Sequence, residues 1–307
     1  MSDPPGAERS ITPAVAFLGL GGMGGPMADR VALSGFPVCV FDVSEDRVQD
    51  RVTTGAVASG SPAAAASGAD VVCVVVHDDA QVLDVIDAPL LDAMAPGGVV
   101  VLHSTVTLAT VQTIDQRCRA RERHLLDIGI SGGVSGAAAG TLVMLAGGDN
   151  ASIERVAPVL ACYSRQLVSC GPVGSGMAAK AARNLIALAV MALAAEGLAV
   201  AEACGVDRDL FAEVCAATDP FGYGVPFIDG SMLSRSGVSV ERLRTTGLKD
   251  LSVVEAIAAD LGVDAPAAAY ATSQWDRVCG YLRPGAEVSD ALAAGRERRR
   301  GRAIRGA

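Results

Sequence analysis

Residues 14–42, AVAFLGLGGMGGPMADRVALSGFPVCVFD, carry the pattern on which the fold turns. Ala14 to Leu18 is a short apolar run. Gly19-Leu20-Gly21-Gly22-Met23-Gly24 follows at once as a GxGxxG, and Met23 to Leu33 is compatible with a helix. In such a unit the first glycine permits a tight turn, the second lets a pyrophosphate approach the backbone, and the third lets helix and strand pack closely. The phosphates would sit on the helix N-terminus, where free N–H groups and the helix dipole favour negative charge. A second strand, Pro37 to Phe41, ends in Asp42, 23 positions after Gly19, where a carboxylate would bind the adenosine ribose hydroxyls. Residues Gly19 to Gly24 and Asp42 are therefore candidate contacts to a dinucleotide. A carboxylate repels a 2′-phosphate, so NAD is expected ahead of NADP. Arg47 lies close enough in sequence to keep NADP as the second reading.

The pattern then repeats. Asp70 to Val76 and Gly97 to Leu102 are continuous β-branched runs of the kind expected for strands covered on both faces. Ala80 to Ile86 and Thr107 to Arg123 carry helical periodicity between and after them. Ligands of doubly wound sheets lie at the carboxyl ends of the strands, so Val76-His77-Asp78-Asp79 and His103-Ser104-Thr105 should face the cofactor. Val76, His77 and Thr105 are the candidates here, and Ser104 reads equally as a helix cap before Thr107. His124 to Ile130 opens into Ser131-Gly132-Gly133-Val134-Ser135-Gly136, read as a small-residue loop that either holds an anion on its backbone N–H groups or is a flexible turn. Gly140 to Ala146 and Gln166 to Cys170 read as strands around a helix from Ser152 to Cys162.

From Gly171 onward strands stop and only helical patterns follow. The expected architecture is α/β, with an N-terminal Rossmann-type doubly wound sheet over residues 1–172 and an all-α domain over 173–295 joined by a long interdomain helix. A basic tail over 296–307 is expected to be disordered. The helix, within Gly171 to Gly205, is apolar nearly all round, with Gly205 at its stop. Lys180 and Asn184 are four residues apart and share one helix face. Of the 25 Lys and Arg residues only Lys180 and Lys249 are lysines, although arginine serves everywhere else. A buried lysine can lose its proton and an arginine cannot, which points to proton chemistry at Lys180. The alternative is a lysine extending to solvent near a helix end.

The formal net charge of -9 excludes a general nucleic-acid surface, the one basic run being Arg296 to Arg305. Met1 to Pro13 lacks the apolar core of a secretory signal. The charge-free run Leu185 to Ala195 is shorter than the ~20 residues of a membrane span, so the expectation is a cytoplasmic protein without a membrane partner. The eight cysteines contain no CxxC, and Cys39 and Cys73 sit in apolar runs as small hydrophobes. His77, His103 and His124 lack metal-ligand spacing, so no metal is expected.

Four separated segments resemble, in order, the β-hydroxyacid dehydrogenases of the 3-hydroxyisobutyrate dehydrogenase type, within the 6-phosphogluconate dehydrogenase superfamily. Phe17 to Met27, FLGLGGMGGPM, resembles the cofactor signature, and Asp127 to Gly133, DIGISGG, the substrate loop usually written DAPVSGG. Gly174 to Asn184, GSGMAAKAARN, resembles the catalytic GxGxxxKxxNN, and Leu248-Lys249-Asp250-Leu251 the late KDL. The resemblance implies a Rossmann domain, a long helix, a helical domain that often dimerises, and an NAD-dependent interconversion of a small 3-hydroxy acid and its semialdehyde or keto form. It implies Lys180 as acid/base, and Ser131, Gly132, Gly133 and Asn184 as substrate contacts. Lys249 would approach the nicotinamide or substrate and help close the cleft; its alternative is an exposed lysine at a helix start.

Three departures stand out: Ile128-Gly129 for the usual Ala-Pro, Arg183 for the first of the paired asparagines, and His77 for a frequent proline. Arg183 is either a surface residue or an added cation selecting a second anionic group. The aromatic segment Thr218 to Phe227 either lines the substrate or packs as a small core, and Trp275 belongs to the core or a subunit interface. Tartronate or succinic semialdehyde reduction and a non-catalytic NAD-binding regulator are the rival functions. A methyltransferase would not need the two lysines, and the related imine-reducing enzymes typically lack the catalytic one. The apolar helical half argues for a homodimer or homotetramer.

Overall fold

The computed structural model describes residues 12–218 and 239–281. The chain divides into two compact units, Met1–Ala181 and Ala182–Ala307, with the division inside one continuous helix.

Unit 1 is built on an eight-stranded sheet in the order β3-β2-β1-β4-β5-β6-β7-β8. Its strands are β1 (Val15–Leu18), β2 (Val38–Phe41), β3 (Val57–Ala58), β4 (Val71–Val74), β5 (Val99–Leu102), β6 (His124–Ser131), β7 (Leu142–Gly147) and β8 (Ser164–Gly171). All neighbours run parallel except β6 and β7, which are antiparallel. β1, β4 and β5 are buried at every position. Their unbroken apolar sequence follows from the period of two, because each face of the sheet needs its own apolar set. Val15, Phe17, Val71, Cys73, Val99 and Val101 join one core; Ala16, Leu18, Val72, Val74, Val100 and Leu102 join the other.

Helices cover both faces. α1 (Gly24–Leu33) and α2 (Glu45–Val52) follow β1 and β2, and α3 (Pro62–Ala65), α4 (Asp79–Val85), α5 (Ala88–Ala93) and α6 (Leu108–Arg119) follow in turn. α7 (Gly133–Ala139) and α8 (Asn150–Leu160) flank β7. Met27, Val31, Val48, Val156 and Val159 fill the first core, and Ala65, Val82, Leu90, Val111 and Ile114 the second. Several helix starts carry matching chemistry: Ser61, Asp78, Asp87, Thr107 and Asp149 each accept a backbone N–H three residues on.

The stretch read as a small-residue loop, Ser131 to Gly136, is corrected by the structure. β6 ends at Ser131, Gly132 takes φ 133° and α7 begins at Gly133 with φ 65°. Both glycines occupy backbone that a side chain would strain. The small residues serve close packing: a Cβ at Gly136 would lie 3.2 Å from Leu142. Arg30 of α1 fastens the end of α7, donating to the carbonyls of Cys162 at 2.6 Å and Ala138 at 3.3 Å.

The long helix, α9 (Ser175–Ala203), starts in unit 1 and ends in unit 2. It stops where expected, with Gly205 at φ 84° and its N–H on the Glu202 carbonyl. Over Ser175–Ala195 it is long and apolar enough to cross a membrane by length and composition, a test that a buried core helix passes equally. Its apolar side chains are shared between cores: Met177 packs in unit 1 and Leu188, Met191, Ala192, Ala195 and Leu198 in unit 2.

Unit 2 adds α10 (Arg208–Thr218), α11 (Val240–Leu261) and α12 (Pro266–Tyr281). Its core centres on Trp275, which is fully buried and donates its indole N–H to the Arg244 carbonyl at 3.1 Å. Gly247 of α11 lies against the ring, where any Cβ would collide with it. Of the two readings of Trp275, core is the one observed. The aromatic segment beyond Thr218 and the basic tail lie outside the described residues.

Candidate functional site

The glycine turn between β1 and α1 has a different reason for each glycine. Gly19 sits at φ +91°, and a Cβ there would lie 2.5 Å from the Val75 carbonyl oxygen. A Cβ on Gly24 would collide with the Gly19 carbonyl, so helix and turn touch directly. Gly21 faces open space, with nothing within 4 Å of its Cβ position. The α1 N-terminus at Met23 has no side-chain cap and no acidic residue in its first turn. An exposed backbone donor set beside free space is what a pyrophosphate needs.

Asp42 follows the last residue of β2. One carboxylate oxygen accepts the Leu20 N–H at 2.7 Å and the other the Ser44 N–H at 2.8 Å. Arg47 approaches at 3.5 Å from an exposed position, while the Asp42 side chain is only 5% exposed. The carboxylate thus joins the end of β2 to the turn, and still has acceptor capacity for ribose hydroxyls.

The loops after β4 and β5 are stitched together. Ser104 donates to the Val76 carbonyl at 2.8 Å, and one oxygen of Asp79 accepts from the Thr107 N–H at 2.9 Å, the Thr107 hydroxyl at 2.8 Å and the Thr110 hydroxyl at 2.6 Å. Ser104 is therefore not the cap of α6; Thr107 is. His77 takes the Gln81 side-chain oxygen on its N–H at 3.0 Å, and Thr105 lies half-buried beside Ser104.

His103 is buried. Its Nδ1 lies 3.0 Å from the Ile128 carbonyl and its Nε2 3.1 Å from the Tyr163 hydroxyl. A carbonyl can only accept, so Nδ1 carries the proton and Nε2 accepts from Tyr163. Burial pushes the imidazole down to about 4, which keeps it neutral.

The first turns of α9 lie directly on β6 and β7. The two carboxylate oxygens of Asp127 accept the N–H groups of Gly174 and Met177, each at 2.7 Å. Burial raises this carboxyl above its ordinary range, and those N–H groups pull against the rise. A Cβ on Gly176 would meet the Leu145 carbonyl at 2.5 Å and the Gly147 nitrogen at 2.6 Å. Gly129 of β6 lies under Lys180: a Cβ there would stand 2.5 Å from the lysine Cβ and 2.9 Å from its Cγ. Lys180 is 8% exposed. A lysine stem laid on a strand is not the solvent-directed alternative. Ser131, Gly132 and Gly133 stand at the end of the same strand and the start of α7.

In unit 2, Asn184 is 5% exposed. Its side-chain oxygen accepts from Arg183 at 3.1 Å, and its nitrogen donates to Asp250 at 2.8 Å. Lys249 Nζ stands 3.3 Å from the other Asp250 oxygen. Lys249 lies well inside α11 and its side chain is 19% exposed, so it is not an exposed lysine at a helix start. No group of three or more metal-ligating side chains occurs among the described residues.

Sequence reading overlooked Asp79, Asp127 and Asp250 as individual residues. Asp127 and Asp250 lay inside recognised motifs, and their partners are 47 to 66 residues away. The available signal was an invariable one in chemistry: an acid beside apolar residues needs donors.

Two sequence families match the chain between residues 14 and 294. Residues 14–174 match the NAD-binding domain of 6-phosphogluconate dehydrogenase, and residues 174–294 the NAD-binding domain of NADP-dependent 3-hydroxyisobutyrate dehydrogenase. An uncharacterized oxidoreductase of Mycobacterium tuberculosis (strain H37Rv) is 32% identical over 90% of this chain and 96% of its own length. An NAD-dependent L-serine dehydrogenase of Pseudomonas aeruginosa is 36% identical over 65% of this chain and 68% of its own. In fold, the chain resembles a solved Mycobacterium tuberculosis 3-hydroxyisobutyrate dehydrogenase with L-serine, with a TM-score of 0.77 at 24% identity over 89% of this chain and 100% of that one.

Proposed function

The chain belongs to the β-hydroxyacid dehydrogenase family, and from that premise we propose that it interconverts a small 3-hydroxy acid, 3-hydroxyisobutyrate-like, with its semialdehyde or keto form. It is an NAD(P)-dependent oxidoreductase acting on a CH–OH group. The observation that carries the reading of the site is the burial of Lys180, one of only two lysines, with its stem on Gly129.

The open space over Gly21 and the buried carboxylate of Asp42 fit a dinucleotide. Gly19 to Gly24 would hold its pyrophosphate, Asp42 its adenosine ribose, and Val76, His77 and Thr105 would line its path. The nicotinamide supplies hydride acceptance or donation when bound. A carboxylate held between the Leu20 and Ser44 N–H groups favours NAD, since a 2′-phosphate would meet a second negative charge.

Lys180 moves the proton. In oxidation the neutral amine takes the hydroxyl proton as the carbinol carbon loses hydride; in reduction the ammonium returns it and stabilises the developing alkoxide. An ordinary lysine, with a pKa of ~10.4, is a poor base at neutral pH, and burial favours its neutral form. The turn at Ser131, Gly132 and Gly133 would receive the substrate carboxylate, with Asn184 as a second contact and Lys249 closing over nicotinamide or substrate. Serine-type 3-hydroxy acids enter the candidate substrates through the P. aeruginosa relative, alongside tartronate and succinic semialdehydes. Exposed Ile186 and Leu193 on α9, 61% and 58% accessible, support a homodimer or homotetramer, and a cytoplasmic location accords with small polar substrates.

The test is NAD and NADP reduction across a panel of short 3-hydroxy acids. Turnover with NAD on at least one member supports the reading; cofactor binding without turnover on any member would favour a non-catalytic regulator.

A further inference from the structure

Arg183 stands where the family resemblance leads one to expect an asparagine, and its contact is specific. The guanidinium Nη1 lies 3.1 Å from Asn184 Oδ1, and Asn184 Nδ2 lies 2.8 Å from Asp250 Oδ2. The two ends of an amide are easily exchanged when assigned from shape alone. Here chemistry leaves one choice. A guanidinium has only donors and must face the amide oxygen, while a carboxylate has only acceptors and must face the amide nitrogen. Both partners demand the same orientation, and reversing it would set donor against donor at one end and acceptor against acceptor at the other.

The arrangement also polarises the amide. A cation on the oxygen and an anion on the nitrogen both favour the charge-separated resonance form, and hydrogen bonds in such a chain strengthen one another. The cation on the oxygen makes the second N–H of Asn184 a stronger donor. Lys249, 3.3 Å from Asp250 Oδ1, holds the carboxylate in place, and that buried oxygen accepts no hydrogen bond among the described residues.

We propose that Arg183 and Asp250 are positioning residues that fix the Asn184 amide, so that Asn184 meets the substrate as a hydrogen-bond donor to an anionic oxygen and selects carboxylate substrates by that means. The proposal rests on the assignment of Asn184 to the substrate site made above. It gives Arg183 a partner inside the fold, which neither earlier reading of the residue supplied.

The test is a series at Arg183, read as KM and kcat for a turned-over 3-hydroxy acid and for its neutral primary amide. Lysine can only donate and should orient Asn184 as arginine does; methionine has no donor; glutamate can only accept and competes for the wrong end of the amide. Arg183→Lys should stay within about 2-fold of wild type, Arg183→Met should raise the carboxylate KM about 5- to 10-fold, and Arg183→Glu more than about 50-fold. kcat should change little, and the preference for acid over amide should shrink in the same order. Equal KM values for the lysine and methionine variants, or losses confined to kcat, would overturn the proposal. Thermal denaturation and NAD binding establish that each variant is folded. The ¹⁵N–¹H signals of the Asn184 side-chain amide give a readout independent of turnover. They should shift strongly in Arg183→Glu and little in Arg183→Lys, and unchanged signals throughout would overturn the orientation. A wild type that oxidises no hydroxy acid would refute the functional reading instead, with the amide orientation still decided by those signals.

Discussion

The Met177 backbone N–H donates to the Asp127 carboxylate at 2.7 Å, so a residue of β6 caps the helix that carries Lys180 one turn further on. The other carboxylate oxygen takes the Gly174 N–H. Asparagine at 127 would keep one acceptor and turn an NH₂ group toward the second N–H. Asp127→Asn should therefore cost about 2–3 kcal/mol of stability, with a fall in melting temperature of roughly 5 °C or more. kcat should fall further than NAD affinity. Thermal denaturation with and without NAD checks both, and an unchanged melting temperature would show that the cap carries no weight.

Gly129 sets the depth at which Lys180 lies. Adding one methyl group there would place carbon 2.5 Å from the lysine Cβ, closer than side chains approach, and lysine has to move. Gly129→Ala should lower kcat at least about 10-fold while leaving NAD affinity nearly unchanged, since displacing the proposed acid/base by a fraction of an ångström is enough to slow the reaction. Steady-state kinetics beside NAD titration would show the split; a variant with full kcat would mean that the strand does not position the lysine.

His103 gives stability a pH dependence. Its folded pKa is about 4 against ~6.5 when unfolded. Between these values the unfolded chain binds the proton and the folded chain does not, so stability falls as pH drops from about 6.5 toward 4, by roughly 1.4 kcal/mol per unit inside the window. Above that window the contribution is fully present. Denaturant melts at several pH values for wild type and His103→Gln isolate it: the variant should show a shallower acid slope, and identical slopes would contradict the neutral buried imidazole.

In the proposed reading, Asp42 separates the two cofactors. Asp42→Ser removes the charge proposed to face the ribose and one acceptor for Leu20 and Ser44. NAD affinity should fall about 10-fold while NADP affinity holds or improves, Arg47 being near. Direct titration with both nucleotides measures the ratio, and an unchanged ratio would place ribose recognition elsewhere.

The parallel core was legible because β1, β4 and β5 need apolar side chains on both faces, and an unbroken run such as Val71 to Val74 has no competing explanation. α2 was not, because one buried residue, Val48, makes its inner face. β3 is two exposed residues, which leave no periodicity at all. Ser131 to Gly136 looked like a loop because glycine and serine suit turns, whereas here they let β6, α7 and β7 pack closely. Lysine scarcity singled out Lys180 and Lys249, but nothing local to Asp127 or Asp250 announces a partner 47 to 66 positions away. Only the folded chain brings those partners together.

The most direct measurement is turnover of a short 3-hydroxy acid by Lys180→Met, which keeps an apolar stem to lie on Gly129 while removing the amine. The account predicts a loss of roughly 10²- to 10⁴-fold in kcat with NAD affinity within about 3-fold of wild type. Turnover at the wild-type rate would contradict it.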